Sequence, residues 1–255
     1  MKKIDVGKLA GKRVVIVGAS SGIGLRVAEI MAAGGIHVGL AARHTERLAE
    51  LSRRYPGMVE YVAMDITDED ATAALSDLIS ALGGMDIYIH VAGIGYSNNG
   101  LDPQAEDEVV DTNAAGFARM LAAAYGYFRD HRRSGRIAAL TSVAGTKGIG
   151  RMAAYSASKR CAWTYIVALR QLAREQHVDV AFTDIRPGWI KTPLLSDGTP
   201  HALEMTLDHA VPLIVRAIIR RRRVAVVDWR WRVVVALWRC VPDWLWVRMS
   251  PGISI

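Results

Sequence analysis

Cysteine is almost missing from this chain of 255 residues, which carries only Cys161 and Cys240. Two isolated thiols exclude a disulfide framework and a cysteine-rich zinc site, and they suit a reducing compartment, so a cytoplasmic location is expected. The first apolar run, 14–17, is far shorter than a secretory core, and residues 1–12 are basic without one, so no secretory targeting is expected. No uninterrupted apolar stretch approaches the roughly 20 residues that span a bilayer. Repeats, low-complexity tracts and dividing linkers are also lacking, which leaves a single α/β core as the default at this length.

Lysine is missing from residues 216–248, and the acids there are Asp228 and Asp243 alone, against nine arginines. The whole net charge of +7 therefore lies in that segment, since the other 23 basic and 23 acidic residues cancel. The segment also holds Trp229, Trp231, Trp238, Trp244 and Trp246, five of the seven tryptophans. A nucleic-acid binder would show lysines and polar base-reading groups here. The apolar interleaving points to lipid or protein, and no nucleic-acid partner is expected.

Apolar runs at 13–19, 37–42, 59–64, 86–92, 136–142, 179–185 and 223–227 alternate with helical-period segments such as 22–33, 68–82 and 155–176. The runs show little apolar/polar alternation, as expected of parallel strands covered on both faces. The pattern predicts a doubly wound α/β sheet with right-handed crossovers. Residues 1–228 are expected to form that domain and 229–255 a helical extension.

The first run leads directly into Gly18-Ala19-Ser20-Ser21-Gly22-Ile23-Gly24 and then a helix. A glycine-rich strand-to-helix turn lets backbone approach a pyrophosphate, and the helix start supplies N–H donors; such a turn can also be merely tight. With its G-x-x-x-G-x-G spacing the chain resembles the short-chain dehydrogenase/reductase family over roughly residues 8–228. The resemblance implies a Rossmann-type sheet of about seven strands, a nicotinamide cofactor, and a homodimer or homotetramer. Where an acidic residue would select NAD, this chain has neutral Ala42 and then Arg43, whose guanidinium can pair with a 2′-phosphate or simply be solvated. NADP(H) is expected over NAD(H). Asp65, followed by Ile66, resembles the family's adenine-contacting aspartate, although it could equally cap the next helix. His90-Val91-Ala92-Gly93 departs from the usual Asn-Asn-Ala-Gly. It keeps the small Ala92-Gly93 pair, and His90 reads as a structural substitute.

Tyr155 and Lys159 stand four apart on a predicted helix, so their side chains leave one face. A phenol with a pKa of about 10 is a poor neutral-pH acid, and a nearby ammonium is expected to lower it. Ser142 ends the fifth run thirteen residues before Tyr155, the family's usual interval. By resemblance, Asn113 on the long preceding helix is the fourth catalytic member and positions a water. Pro187-Gly188, with Ile190 and Thr192, resembles the turn that meets the nicotinamide carboxamide. The implied reaction is reversible hydride transfer to a carbonyl or from a secondary alcohol. Ile94, Tyr96, Val143, Ile149, Met152, Trp189, Leu194 and Leu195 are expected to line an apolar pocket, and residues 196–208 to shape it as a mobile segment. The alternative on the same fold is a redox-inactive binding or regulatory protein, which usually carries a damaged tyrosine, lysine or glycine motif; none is damaged here. Residues 229–249 suit a bilayer interface, or equally a helix over the subunit interface or substrate pocket.

Overall fold

The computed structural model describes residues 5–192 and 202–249. Among them, β1 (Arg13–Val17), β2 (His37–Ala42), β3 (Val59–Ala63), β4 (Ile87–His90), β5 (Gly135–Leu140), β6 (Val180–Arg186) and β7 (Val224–Val226) form one parallel sheet. Its order is β3-β2-β1-β4-β5-β6-β7. The order reverses between β1 and β4, and a crevice opens there at the carboxyl ends of the strands. Several strands end earlier than expected because the chain leaves the sheet to build that crevice: β1 stops before Gly18, β4 before Val91, and β5 before Thr141.

Alternate side chains of each strand enter opposite layers. Val14 and Ile16 pack beneath α1 (Gly22–Ala33) and α7 (Leu207–Ile219). Val15 and Val17 face the side occupied by α3 (Ala71–Ala81), α5 (Phe117–Asp130) and α6 (Ala153–Glu175). The helices α2 (Glu46–Arg54) and α4 (Pro103–Val110) complete the crossovers. Being apolar on both faces is thus what the strands require.

After β7 the chain forms α8 (Trp229–Cys240) and the short α9 (Asp243–Trp246). Trp231 and Val235 of α8 join the core cluster on the α1 and α7 side. No helix among the described residues is long and apolar enough to cross a membrane. Pro242 separates the two helices, and Asp243, which opens α9, pairs with Lys147 at 2.5 Å.

The start of α8 is fixed by Asp228, which is buried at φ 72° and accepts from the Arg230 N–H. The Arg230 guanidinium and His209 also bind its carboxylate, and these bonds, the Arg230 side-chain bond foremost, hold its pKa down at about 2. Asp228→Ala removes the cap and places alanine where left-handed backbone is costly, so a loss of roughly 1–3 kcal/mol is expected. The carboxylate's contribution is present above its unfolded pKa near 4 and is lost as pH falls toward 2. The gap between the thermal melts of wild type and variant should therefore narrow in strong acid to the part that backbone strain leaves. A constant gap would assign the effect to backbone strain alone.

Candidate active site

Gly18 opens the crevice with φ +88°, and a Cβ there would overlap the backbone of Ala92. Only glycine permits this approach. The Val91 and Ala92 N–H groups both donate to the Val17 carbonyl, at 2.8 and 3.0 Å, while Gly18 and Ala19 donate to Ala41. The ends of β1, β2 and β4 are thereby stitched together, with α1 beginning directly above. Ser21 makes no side-chain cap bond, so the first-turn N–H groups of α1 face the crevice without a side-chain acceptor.

A cleft of about 470 Å³ runs from this turn across the sheet. Gly18, Ser20, Ser21, Gly22 and Ile23 line its middle, with Ala92 and Gly93 opposite. At one end stand Arg43, Asp65 and Ile66, joined by His44, which the sequence reading did not single out. The Arg43 guanidinium lies 3.8 Å from Asp65. Burial pushes Asp65 up, but the Thr67 N–H and hydroxyl bonds and the Arg43 charge outweigh it and leave the carboxyl below its ordinary value. Asp65 lines the cleft and holds the Thr67 turn; it does not cap the next helix, α3, whose N-cap is Asp70. Gly24 lies beneath the turn, packed on the Gly18 carbonyl, and does not line the cleft.

At the other end Ser142, Tyr155 and Lys159 meet Pro187, Gly188, Ile190 and Thr192. Ser142 Oγ accepts from the Ala144 N–H at 3.1 Å and donates to the Pro187 carbonyl at 3.4 Å. Lys159 Nζ sits 5.4 Å from the centre of the Tyr155 ring, and burial brings its pKa down to about 8. Tyr155 is pushed above its ordinary value by burial, against which the Ser142 hydrogen bond works in part. The expected lowering by the lysine is therefore not a property of the protein alone, because desolvation dominates both groups.

Asn113 is buried. It sits in a π turn, Asp111–Gly116, between α4 and α5. Its Oδ1 accepts from the Ile94 N–H at 2.9 Å, and its Nδ2 donates to the Ile94 carbonyl at 2.6 Å and to Ser158 Oγ at 3.3 Å. The side chain is thus committed to bracing the β4 exit against α6, and it does not line the cleft. This explains an asparagine inside a helix: the π turn turns it inward, where it saturates the exposed backbone of Ile94. His90 is buried with its Nδ1 3.0 Å from the Tyr88 hydroxyl, and burial, then Lys159, hold it neutral with a pKa of about 3.

Behind Ser142 lies a buried network absent from the sequence reading. Thr141 donates to Asp184 at 2.6 Å, the Trp163 indole donates to Thr141 at 3.1 Å, and Arg186 pairs with Asp184 while stacking 3.5 Å from the Trp163 ring. It ties the ends of β5 and β6 to α6, fixing Ser142, Pro187 and Lys159 relative to one another.

The apolar part of the cleft includes Ile94, Val143, Ile149, Met152 and Trp189, as expected. Tyr96 instead turns to Ala105 and Glu108. Leu194, Leu195 and residues 196–201 lie outside the described residues. Trp231 and Trp238 line the cleft as well, in line with the pocket-covering alternative for residues 229–249. Trp231 packs directly on Gly188 and donates to the Leu203 carbonyl at 3.3 Å. Trp238 meets Trp231 and Trp246 edge-on, and the Trp246 indole donates to Gly148 at 2.7 Å. Helices α8 and α9 thus clamp the loop carrying Ile149.

The family model described as short chain dehydrogenase matches residues 12–202. An uncharacterized oxidoreductase from Myxococcus xanthus is 30% identical over 245 residues, covering 93% of this chain and 96% of that protein. One from Mycobacterium tuberculosis is 32% identical, covering 94% and 97%. Among solved structures, a short chain dehydrogenase from Burkholderia cenocepacia in complex with NADP superimposes with a TM-score of 0.79 at 21% identity, covering 93% of this chain and 97% of that one.

Proposed function

The chain belongs to the short chain dehydrogenase family, and on that premise we propose that it is an NADPH-preferring reductase of a lipophilic carbonyl compound. The observation that carries this reading is one cleft with a phosphate-ready glycine turn and Arg43 at one end, and Ser142, Tyr155 and Lys159 under tryptophan walls at the other. The dinucleotide fits the residues present. Gly18 lets the ends of β1 and β4 close up beneath the turn, the start of α1 offers N–H donors to the pyrophosphate, and Arg43 with His44 can receive a 2′-phosphate.

When bound, the nicotinamide supplies the hydride that reduces the carbonyl carbon. Ser142 donates to the substrate oxygen and stabilises charge as it develops there. Tyr155 gives its phenolic proton to the same oxygen, completing the alcohol. Lys159 holds the ribose hydroxyls, and its positive charge favours the phenolate that Tyr155 becomes. Asn113 serves by position, holding Ile94 and Ser158 so that Tyr155 and Lys159 keep their places. Pro187, Gly188, Ile190 and Thr192 cradle the nicotinamide end, with Trp231 fixing Gly188. The same reading includes a homodimer or homotetramer, and peripheral membrane contact through residues 229–249.

The pH dependence follows from Lys159. Its pKa in the protein, about 8, is depressed from an ordinary value near 10.5, so the amine is neutral between those limits. NADPH affinity should be flat between about pH 7 and 8, where the 2′-phosphate is fully charged, and weaken above it. Lys159→Arg, charged throughout, should lack that inflection when binding is followed by nicotinamide fluorescence. The substrate class is tested by NADPH oxidation over ketones and aldehydes of increasing chain length. Each added methylene should raise kcat/KM about fourfold until the apolar end is filled. A preference for small polar carbonyls would contradict the lipophilic assignment.

A further inference from the structure

Helix α8 carries two apolar stripes. The inner one, through Trp231 and Val235, is buried against the domain. The outer one recurs every four residues at Trp229, Val233 and Leu237, which are 69%, 50% and 62% exposed. By helical periodicity Arg232 and Arg239 border this outer stripe on one side and Arg230 on the other. An apolar stripe edged by arginines is the pattern of a helix lying in a bilayer interface, with the guanidinium groups reaching to headgroup level.

Beside α8 is a second hollow of about 160 Å³, lined by Arg216, Arg220, Arg222 and Arg232. Arg232 donates to the Val226 carbonyl, and among the described residues none of the four is paired with a carboxylate. The one acid in the lining, Asp228, is already held by Arg230 and His209. Four arginines around one hollow, with its only acid already engaged, make it a site of excess positive charge, and guanidinium groups are suited to pairing with phosphate.

We propose that α8 docks in the plane of an anionic bilayer, with Trp229, Val233 and Leu237 among the acyl chains and the four-arginine hollow holding a lipid phosphate. The charge of the hollow and the adjoining apolar stripe together select this occupant: a soluble phosphate would leave the stripe unused, and a neutral surface would leave the arginines unpaired. The docking stands without the reductase reading. Only its consequence rests on that reading: because the inner face of α8 walls the cleft, a lipophilic carbonyl can pass from the bilayer to Tyr155 around one helix.

The test is co-sedimentation of the full chain with vesicles of phosphatidylcholine alone or with added phosphatidylglycerol. The protein is expected to pellet with the anionic vesicles and to remain in solution with the neutral ones. Arg220→Gln with Arg222→Gln should weaken partitioning about 25-fold, roughly fivefold for each charge lost. Val233→Ser with Leu237→Ser should cut the part of the binding that survives high salt at least tenfold, leaving the share that Trp229 supplies. Free glycerophosphate at millimolar concentration should leave vesicle binding largely intact; complete release would make a soluble phosphate compound the ligand and overturn the proposal. Binding indifferent to the arginine pair would also overturn it, as would light scattering that shows the serine pair dissociating a dimer. Reduction of a short, water-soluble ketone, measured on the same preparations, should be unchanged in both double variants, so failure to dock is not confused with failure of the reductase assignment.

Discussion

Tyr155→Phe is expected to lower kcat by about 10²- to 10⁴-fold, the contribution of a positioned general acid, while NADPH affinity stays nearly unchanged. The ring carries no chemistry: it packs against Gly95, a contact phenylalanine retains. Removing the hydroxyl leaves no buried orphan, because Ser142 still has the Ala144 N–H and the Pro187 carbonyl. The protein should therefore melt as the wild type does, which separates lost chemistry from lost structure. Burial holds the Tyr155 phenol above its ordinary pKa, so in the protein alone it stays protonated at neutral pH, the form that reduction consumes. Ser142→Ala should cost a comparable 10²- to 10³-fold by removing the donor to the developing alkoxide. A phenylalanine variant that kept most of the rate would move the proton donor elsewhere.

Arg43→Ala should weaken NADPH binding by about 1.5–3 kcal/mol, or roughly 10- to 150-fold, and leave NADH binding almost unaltered. In the structure the guanidinium is more than half exposed and its contact with Asp65 is loose, at 3.8 Å. A surface pair of that kind contributes little, so a 2′-phosphate carrying more charge displaces it readily. The variant also leaves Asp65 unscreened, which adds repulsion to the loss. Equal weakening of both cofactors, measured by fluorescence titration, would show that Arg43 supports the fold of the second strand's exit and does not read the phosphate.

What the sequence disclosed was local. Residues 18–24, the four-residue spacing of Tyr155 and Lys159, and Ser142 thirteen residues earlier each express one turn or one helix face, and short-range spacing fixes such geometry. The sheet was legible for the same reason, since strands buried on two faces must be apolar throughout. Long-range and energetic features were not legible. Trp231 reaches Gly188 across 43 residues of chain, and no periodicity in α8 shows which of its two apolar stripes turns inward. The network of Thr141, Trp163, Asp184 and Arg186 joins three elements whose polar residues look unremarkable in sequence. Asn113 was found, but its bonds to the Ile94 backbone and to Ser158 were not, because they join positions 19 and 45 residues away. The sign of the Tyr155 shift also depended on weighing burial against the lysine's charge, and only the three-dimensional arrangement sets that balance.

The central claim is that this cleft passes hydride from NADPH to a carbonyl carbon of an apolar substrate while Tyr155 supplies the proton. Its most direct test is a single turnover with NADPH deuterated at the transferring position of C4 and a long-chain ketone, analysed by mass spectrometry. The account predicts an alcohol carrying one deuterium on the carbinol carbon, formed by the wild type and not, on the same time scale, by Tyr155→Phe. Cofactor oxidation that leaves the ketone unlabelled, or label transfer of equal speed in the phenylalanine variant, would contradict it.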